Sequence, residues 1–206
     1  MMTWLVTLDL AALVVMVLAI ATVAPLLRWR IGAFERDFAY DGSYLRMVLD
    51  ASTKAMLRLG AFQVFASQRA SLPRDAFYAA RIAATMAEDC GPCTQLVVTM
   101  AERERVDPGT LRAILTGDLA STSPDAALAV RFVEAVMARD LTRADALRSE
   151  VVSKWGEEAL VSLAFSIATS RVYPTLKYSL GFGRACSRVR VAGVEQAVVR
   201  ATQSAA

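Results

Sequence analysis

Residues 80–93 read ARIAATMAEDCGPC, and the fold turns on the state of the ten residues that precede the first cysteine. Alanine-rich and apolar, with no strand-like alternation, they predict a helix. The pair Cys90-Gly91-Pro92-Cys93 then closes one apolar helical segment, Phe77 to Met86, and opens another, Thr94 to Ala101. A cysteine at a helix start has a physical rationale, because the partial positive charge and unpaired N–H groups there stabilise a thiolate. The short spacer lets the second sulfur attack the first once that one is oxidised, so the pair can cycle between dithiol and disulfide. The same two residues could alternatively supply half of a zinc site.

Metal and a thioredoxin framework both meet obstacles. A structural zinc needs four ligands, a catalytic one three plus water. The one further cysteine is Cys186, the chain has no histidine, and carboxylates such as Glu88 and Asp89 would have to complete the set. No metal and no cofactor are expected. The four letters of the pair match the thioredoxin active site, but that motif belongs to a βαβ framework, and the residues before it read as helix.

The remaining pattern is also helical. Asp41-Gly42-Ser43 is a start signal for one helix over Tyr44–Gln68. Ser71-Leu72-Pro73 breaks the chain, and Asp75 to Glu88 leads into the cysteines. Asp107-Pro108 and Ser123-Pro124 each place a capping side chain before a proline at the first helical position. Thr142 is expected to cap Arg143–Lys154. Ala159–Tyr173, apolar nearly all round, is expected to be the central buried helix, ended or kinked by Pro174. A weaker helix is expected over Arg184–Arg200. The domain is therefore expected to be all-α.

Composition points to a membrane. Hydrophobic residues make up 55% of the 206-residue chain, above the usual 45–50% or so. From Trp4 to Leu27 the one charged side chain is Asp9, and a run of about 24 residues exceeds the 20 or so that cross a bilayer. A transmembrane helix within residues 1–30 is expected, ending near Pro25. A cleaved signal peptide is the competing possibility: Ala19-Ile20-Ala21 fits its cleavage pattern, but no basic residue precedes the run. Arg28 and Arg30 follow it, which predicts a single-pass topology with the rest of the chain cytoplasmic. Residues 31–70 then form a connector and first helix, and 71–206 the helical domain. In a reducing compartment paired cysteines point to chemistry rather than to a staple. The net charge of +3 is spread along the chain, which argues against nucleic acid as a partner.

From Ser71 to Gly183 the order of features resembles the alkylhydroperoxidase D / carboxymuconolactone decarboxylase family. The likeness consists of the Leu72-Pro73 break, a helix, the Cys-x-x-Cys pair opening the next helix, a short helix ending at Gly117-Asp118, the start at Ser123-Pro124 and a closing apolar helix. The resemblance implies an AhpD-like all-helical fold, a trimeric or hexameric homo-oligomer, and a peroxidase or disulfide oxidoreductase fed by a dithiol electron donor. It implies Cys93 as the attacking thiol and Cys90 as the resolving one, whereas the helix dipole alone favours Cys90. The chain departs from the family at two positions. The histidine expected four residues after the second cysteine is Val97, and the glutamate expected twelve before the first is Tyr78. The family's proton relay is therefore missing. A non-catalytic scaffold or binding protein of the same fold is the alternative, and a lactone decarboxylase is disfavoured by the lack of histidine. Candidate site residues are thus Cys90 and Cys93, with Tyr78, Glu88 and Asp89 in support. Arg81 and Arg103 are candidates to offset the nearby carboxylates. Tyr173, Lys177 and Tyr178 are candidates to line a pocket.

Overall fold

A serine side chain sets where the third helix begins. The computed structural model describes residues 22–185 and 188–199, which divide into one unit ending at Ala61 and a second starting at Phe62. In the first unit α1 covers 22–38, α2 Ser43–Ala51 and α3 Thr53–Ala61. The single helix expected over Tyr44–Gln68 is broken at Ser52. Its backbone is extended, at φ −165° and ψ 110°, and its Oγ accepts the Ala55 N–H at 3.1 Å, capping α3. Ile31, Leu49 and Met56 form the small core of this unit.

The expected membrane anchor needs correction. Among the described residues no helix is long and apolar enough to cross a membrane. Helix α1 does not stop at Pro25 but continues to residue 38, through Arg28, Arg30, Glu35, Arg36 and Asp37. Arg28 pairs with Asp50 of α2 and Glu35 with Arg46. The apolar side of α1, at Ala24, Leu27 and Ile31, faces the core formed with α2 and α3. Residues 4–21 of the apolar run lie outside the described residues.

The second unit contains α4 (Gln63–Ala66), α5 (Arg74–Ala87), α6 (Gly91–Arg103), α7 (Pro108–Thr116), a 3-10 turn (Leu119–Ser121), α8 (Pro124–Ala138), α9 (Leu141–Trp155) and α10 (Glu157–Ser179). Asp107 accepts the Thr110 N–H at 2.8 Å, and Ser123 accepts that of Ala126 at 3.2 Å, so both proline-led starts carry true caps. Asp140, not Thr142, caps α9 through Arg143 N–H at 3.0 Å. Gly117 ends α7 at φ 75°, a left-handed cap that suits glycine.

Helix α5 is the central element, packed against α6, α7, α8 and α10. Ala76, Ala79, Ala80, Ile82 and Ala84 have no exposed surface. Small side chains on several faces let four helices approach one backbone closely. Helix α10, expected in that place, is instead a two-faced outer helix. Its small polar residues Ser162, Ser166, Thr169 and Ser170 point inward, and Val161, Phe165 and Val172 outward. It also runs through Pro174 to Ser179; the proline costs one backbone hydrogen bond, and its burial in the packing holds the helix on course.

The all-α expectation fails at the C-terminal end. In place of a helix over Arg184–Arg200 the chain forms an antiparallel hairpin, β1 (Arg188–Val191) and β2 (Val194–Ala197), joined at Ala192-Gly193. Both turn residues have positive φ, 49° and 79°, the geometry of a tight two-residue hairpin loop. Val189 and Val191 enter the core while Arg188 and Arg190 face out. The side chain of Gln95 on α6 stands in for a neighbouring strand. Its Oε1 accepts the Arg190 N–H at 2.7 Å, and its Nε2 donates to the Arg190 carbonyl at 3.1 Å.

Because α5 has no free space on its alanine faces, Ala80→Leu should destabilise the protein by about 1–3 kcal/mol. Asp107→Ala should cost about 1 kcal/mol through the lost cap. Urea unfolding of both variants beside the parent protein measures the two values.

Candidate functional site

The turn between α5 and α6 carries the cysteines. Glu88 ends α5, and Asp89 adopts φ 50°. This left-handed residue reverses the chain within a few residues. Cys90 follows as N-cap of α6, with φ −103° and ψ 94°. Its N–H donates to the Thr85 carbonyl at 3.3 Å. Its carbonyl accepts both the N–H and the hydroxyl of Thr94, at 2.9 and 3.0 Å. Gly91 and Pro92 form the start of α6, and Cys93 follows in the first turn. This geometry brings the two sulfurs together: Cys90 and Cys93 are disulfide-bonded, with their Cα atoms 5.3 Å apart.

The C-terminal end of α10 and the segment after it cover the pair. The Gly91 N–H donates to the Arg184 carbonyl at 3.0 Å. The Tyr178 hydroxyl donates to the Asp89 carbonyl at 2.8 Å. Gly183 lies against the Tyr178 ring so closely that a Cβ there would sit 2.0 Å from a ring carbon. Cys90 retains none of its surface and Cys93 4%, so both halves of the disulfide are buried.

The structure draws some of the sequence candidates together and separates others. Glu88 sits beside the pair, where its negative charge would disfavour a thiolate, and it forms an ion pair with Arg171 of α10. Asp89 contributes its backbone as the turn and its carbonyl to Tyr178. Tyr178, one of three residues named near Pro174, therefore touches the site, and its contact could not be read from sequence because it joins positions 89 residues apart. Tyr78 does not touch the site. Ala87 lies nine positions further along α5, about 14 Å of helix. Tyr78 packs edge-on against Phe77 at 5.2 Å, and burial raises its hydroxyl pKa, with the Glu104 carboxylate adding to the effect. Val97 is a core residue.

Arg103 lies in the last turn of α6, away from the cysteines. Arg81 lies nine residues before Cys90 and stacks over Phe77 at 5.2 Å. Lys177 is buried, and Tyr173 packs on Phe62 at 6.1 Å. Cys186 lies outside the described residues. Among the described residues no group of three His, Cys, Asp or Glu side chains is placed to hold a metal.

Compared with known proteins, the chain matches no family model, no curated protein and no solved structure.

The contact of Gly183 with Tyr178 gives a direct handle on the cover. Gly183→Ala should displace the Tyr178 ring and break its bond to Asp89. Reduction of Cys90–Cys93 by dithiothreitol should then run severalfold faster than in the parent. Acid-quenched alkylation followed by mass spectrometry reads the rate, and an unchanged rate would show that the ring yields without opening the site.

Proposed function

We propose that the chain is a thiol oxidoreductase that cycles Cys90 and Cys93 between dithiol and disulfide. The observation that carries this is the placement of both sulfurs, within bonding distance, at the start of α6. The helix N-terminus favours the thiolate. The adjacent Glu88 carboxylate, whose charge would oppose it, is paired with Arg171. The order of features from Leu72-Pro73 to α10 supports an AhpD-like family reading, with a hydroperoxide or a disulfide as substrate.

In the peroxide reaction the Cys93 thiolate attacks one oxygen of R–O–O–H. The O–O bond breaks, RO− takes a proton and leaves as an alcohol, and Cys93 becomes a sulfenic acid. The Cys90 thiolate then attacks the Cys93 sulfur, water leaves, and the disulfide closes. An external dithiol returns the pair to two thiols by two exchange steps and is itself oxidised to a disulfide. Cys93 takes the attacking role that the family resemblance implies. With Val97 and Tyr78 at the two relay positions, the protons come from solvent or from the donor.

A specific observation favours a second reading, a non-catalytic protein of the same fold. The pair is nearly inaccessible, and the position of the relay histidine is filled by packed Val97.

Thiol titration of the purified protein separates the two. For the enzyme, reduced protein should lose two titratable thiols per chain on adding a hydroperoxide and regain them with a dithiol, and Cys93→Ser should abolish turnover. Cys90→Ser should instead stop at a Cys93 sulfenic acid, trapped by dimedone. Thiols that neither oxidise with peroxide nor alkylate in the folded protein would establish the scaffold.

A further inference from the structure

A second group of unsatisfied polar atoms lies between α5 and α10, apart from the cysteines. Arg81 reaches from the middle of α5 toward Tyr173 of α10. One of its terminal nitrogens donates to the Ala66 carbonyl at the end of α4, at 3.4 Å. Its Nε is buried and makes no hydrogen bond. Among the described residues no carboxylate pairs with it. The Tyr173 hydroxyl and the Ser170 hydroxyl, three residues apart on α10, are likewise buried without hydrogen-bond partners. Burial draws the Arg81 pKa down and pushes the Tyr173 pKa up, each partly countered by the other. A guanidinium stays charged in proteins, and leaving one charge of a buried pair without its partner is strongly destabilising. The Phe77 ring compensates in part.

The surroundings of this cation are aromatic and lead outward. Tyr173 packs on Phe62 at 6.1 Å, Phe62 on Phe65 at 6.1 Å, and Phe65 on Phe165 at 5.9 Å. Phe65 and Phe165 are exposed. From Tyr173 to Phe165 the row follows α10 for about 12 Å, with Val161 and Val172 exposed on the same helix. One end thus holds a half-buried cation whose Nε is buried and unpaired, with two unpartnered hydroxyls on α10, and the other is an open apolar surface.

From these contacts we propose that the Arg81–Tyr173–Ser170 cluster binds the carboxylate of a medium-chain acyl monocarboxylate, whose hydrocarbon chain lies along Phe62, Phe65 and Phe165. Charge complementarity selects the occupant. The fork of donors on arginine matches a carboxylate in two-point geometry, the hydroxyls of Tyr173 and Ser170 donate to the same oxygens, and the aromatic row covers the chain. The site does not use the cysteine pair, so it stands independently of the redox reading.

Isothermal titration of the full-length protein with decanoate below its micellar concentration tests the assignment, with decanol, acetate and inorganic phosphate as parallel arms. Decanoate should bind saturably at one per chain, at least tenfold tighter than decanol or acetate. Arg81→Gln should weaken it at least tenfold. Tyr173→Phe, which removes a single oxygen and keeps the ring packing, should weaken it severalfold. Thermal unfolding gives the second readout: decanoate should raise the Tm of the parent and not that of Arg81→Gln. Should Arg81→Gln fail to fold, Tyr173→Phe decides. Decanol binding as tightly as decanoate would overturn the carboxylate, phosphate binding as tightly would overturn the acyl chain, and no saturable decanoate heat would overturn the site.

Discussion

The close approach of neighbouring helices to α5 is the constraint on which the second unit depends. It is possible because Ala76, Ala79, Ala80 and Ala84 present almost no side chain. Larger residues would push α6, α7, α8 and α10 outward and open voids that a close-packed interior does not tolerate. The same helix then delivers chemistry at two heights. Its C-terminal turn carries Cys90 into the start of α6, and its middle carries Arg81 against α10. Both features are held by one rigid element, so their geometry follows from the packing of α5 and not from flexible loops.

Helix α10 resolves a conflict in its own composition. It places serines and threonines, together with Leu163 and Ile167, against its neighbours, and Val161, Phe165 and Val172 toward solvent. Small hydroxyls can be buried in a helix because they return a hydrogen bond to their own backbone. Ser166 does so to the Ser162 carbonyl at 2.9 Å, and Thr169 to that of Phe165 at 2.7 Å. Ser162 and Ser170 do not. Toward the C-terminal half of the helix the Ser170 and Tyr173 hydroxyls keep unused polar capacity, and Tyr173 lies near Arg81. The outward Val161, Phe165 and Val172 are the counterpart of that arrangement.

The C-terminal hairpin shows how side chains can create an edge for backbone. Two short strands are marginal alone. Here Val189 and Val191 are buried on one side, and the Gln95 amide pairs with Arg190 as a strand would. The Val199 N–H donates to the Leu115 carbonyl at 3.0 Å. These contacts hold the chain after α10 across the start of α6, which is why Gly91, and with it the cysteine pair, is covered.

Local chemistry alone determined much of this protein. Asp107-Pro108, Ser123-Pro124 and the Cys-x-x-Cys turn act within a few residues, through caps, proline geometry and the helix dipole, so helix starts and the sulfur pair were legible in the chain. The Arg188-Val189-Arg190-Val191 alternation before Ala192-Gly193 also held a strand signal, but the helical weight of the surrounding pattern masked it. Other outcomes needed tertiary structure. A mean apolar character does not tell which face of α10 turns inward, since that depends on the shape of α5. Tyr78 and Cys90 are close in sequence yet held apart by the rest of α5, because each residue adds about 1.5 Å along a helix. Tyr178 and Asp89 are far apart in sequence and in contact. Burial, pairing and access at Cys90, Cys93 and Arg81 are properties of surfaces brought together from distant segments, and only the packed fold decides them.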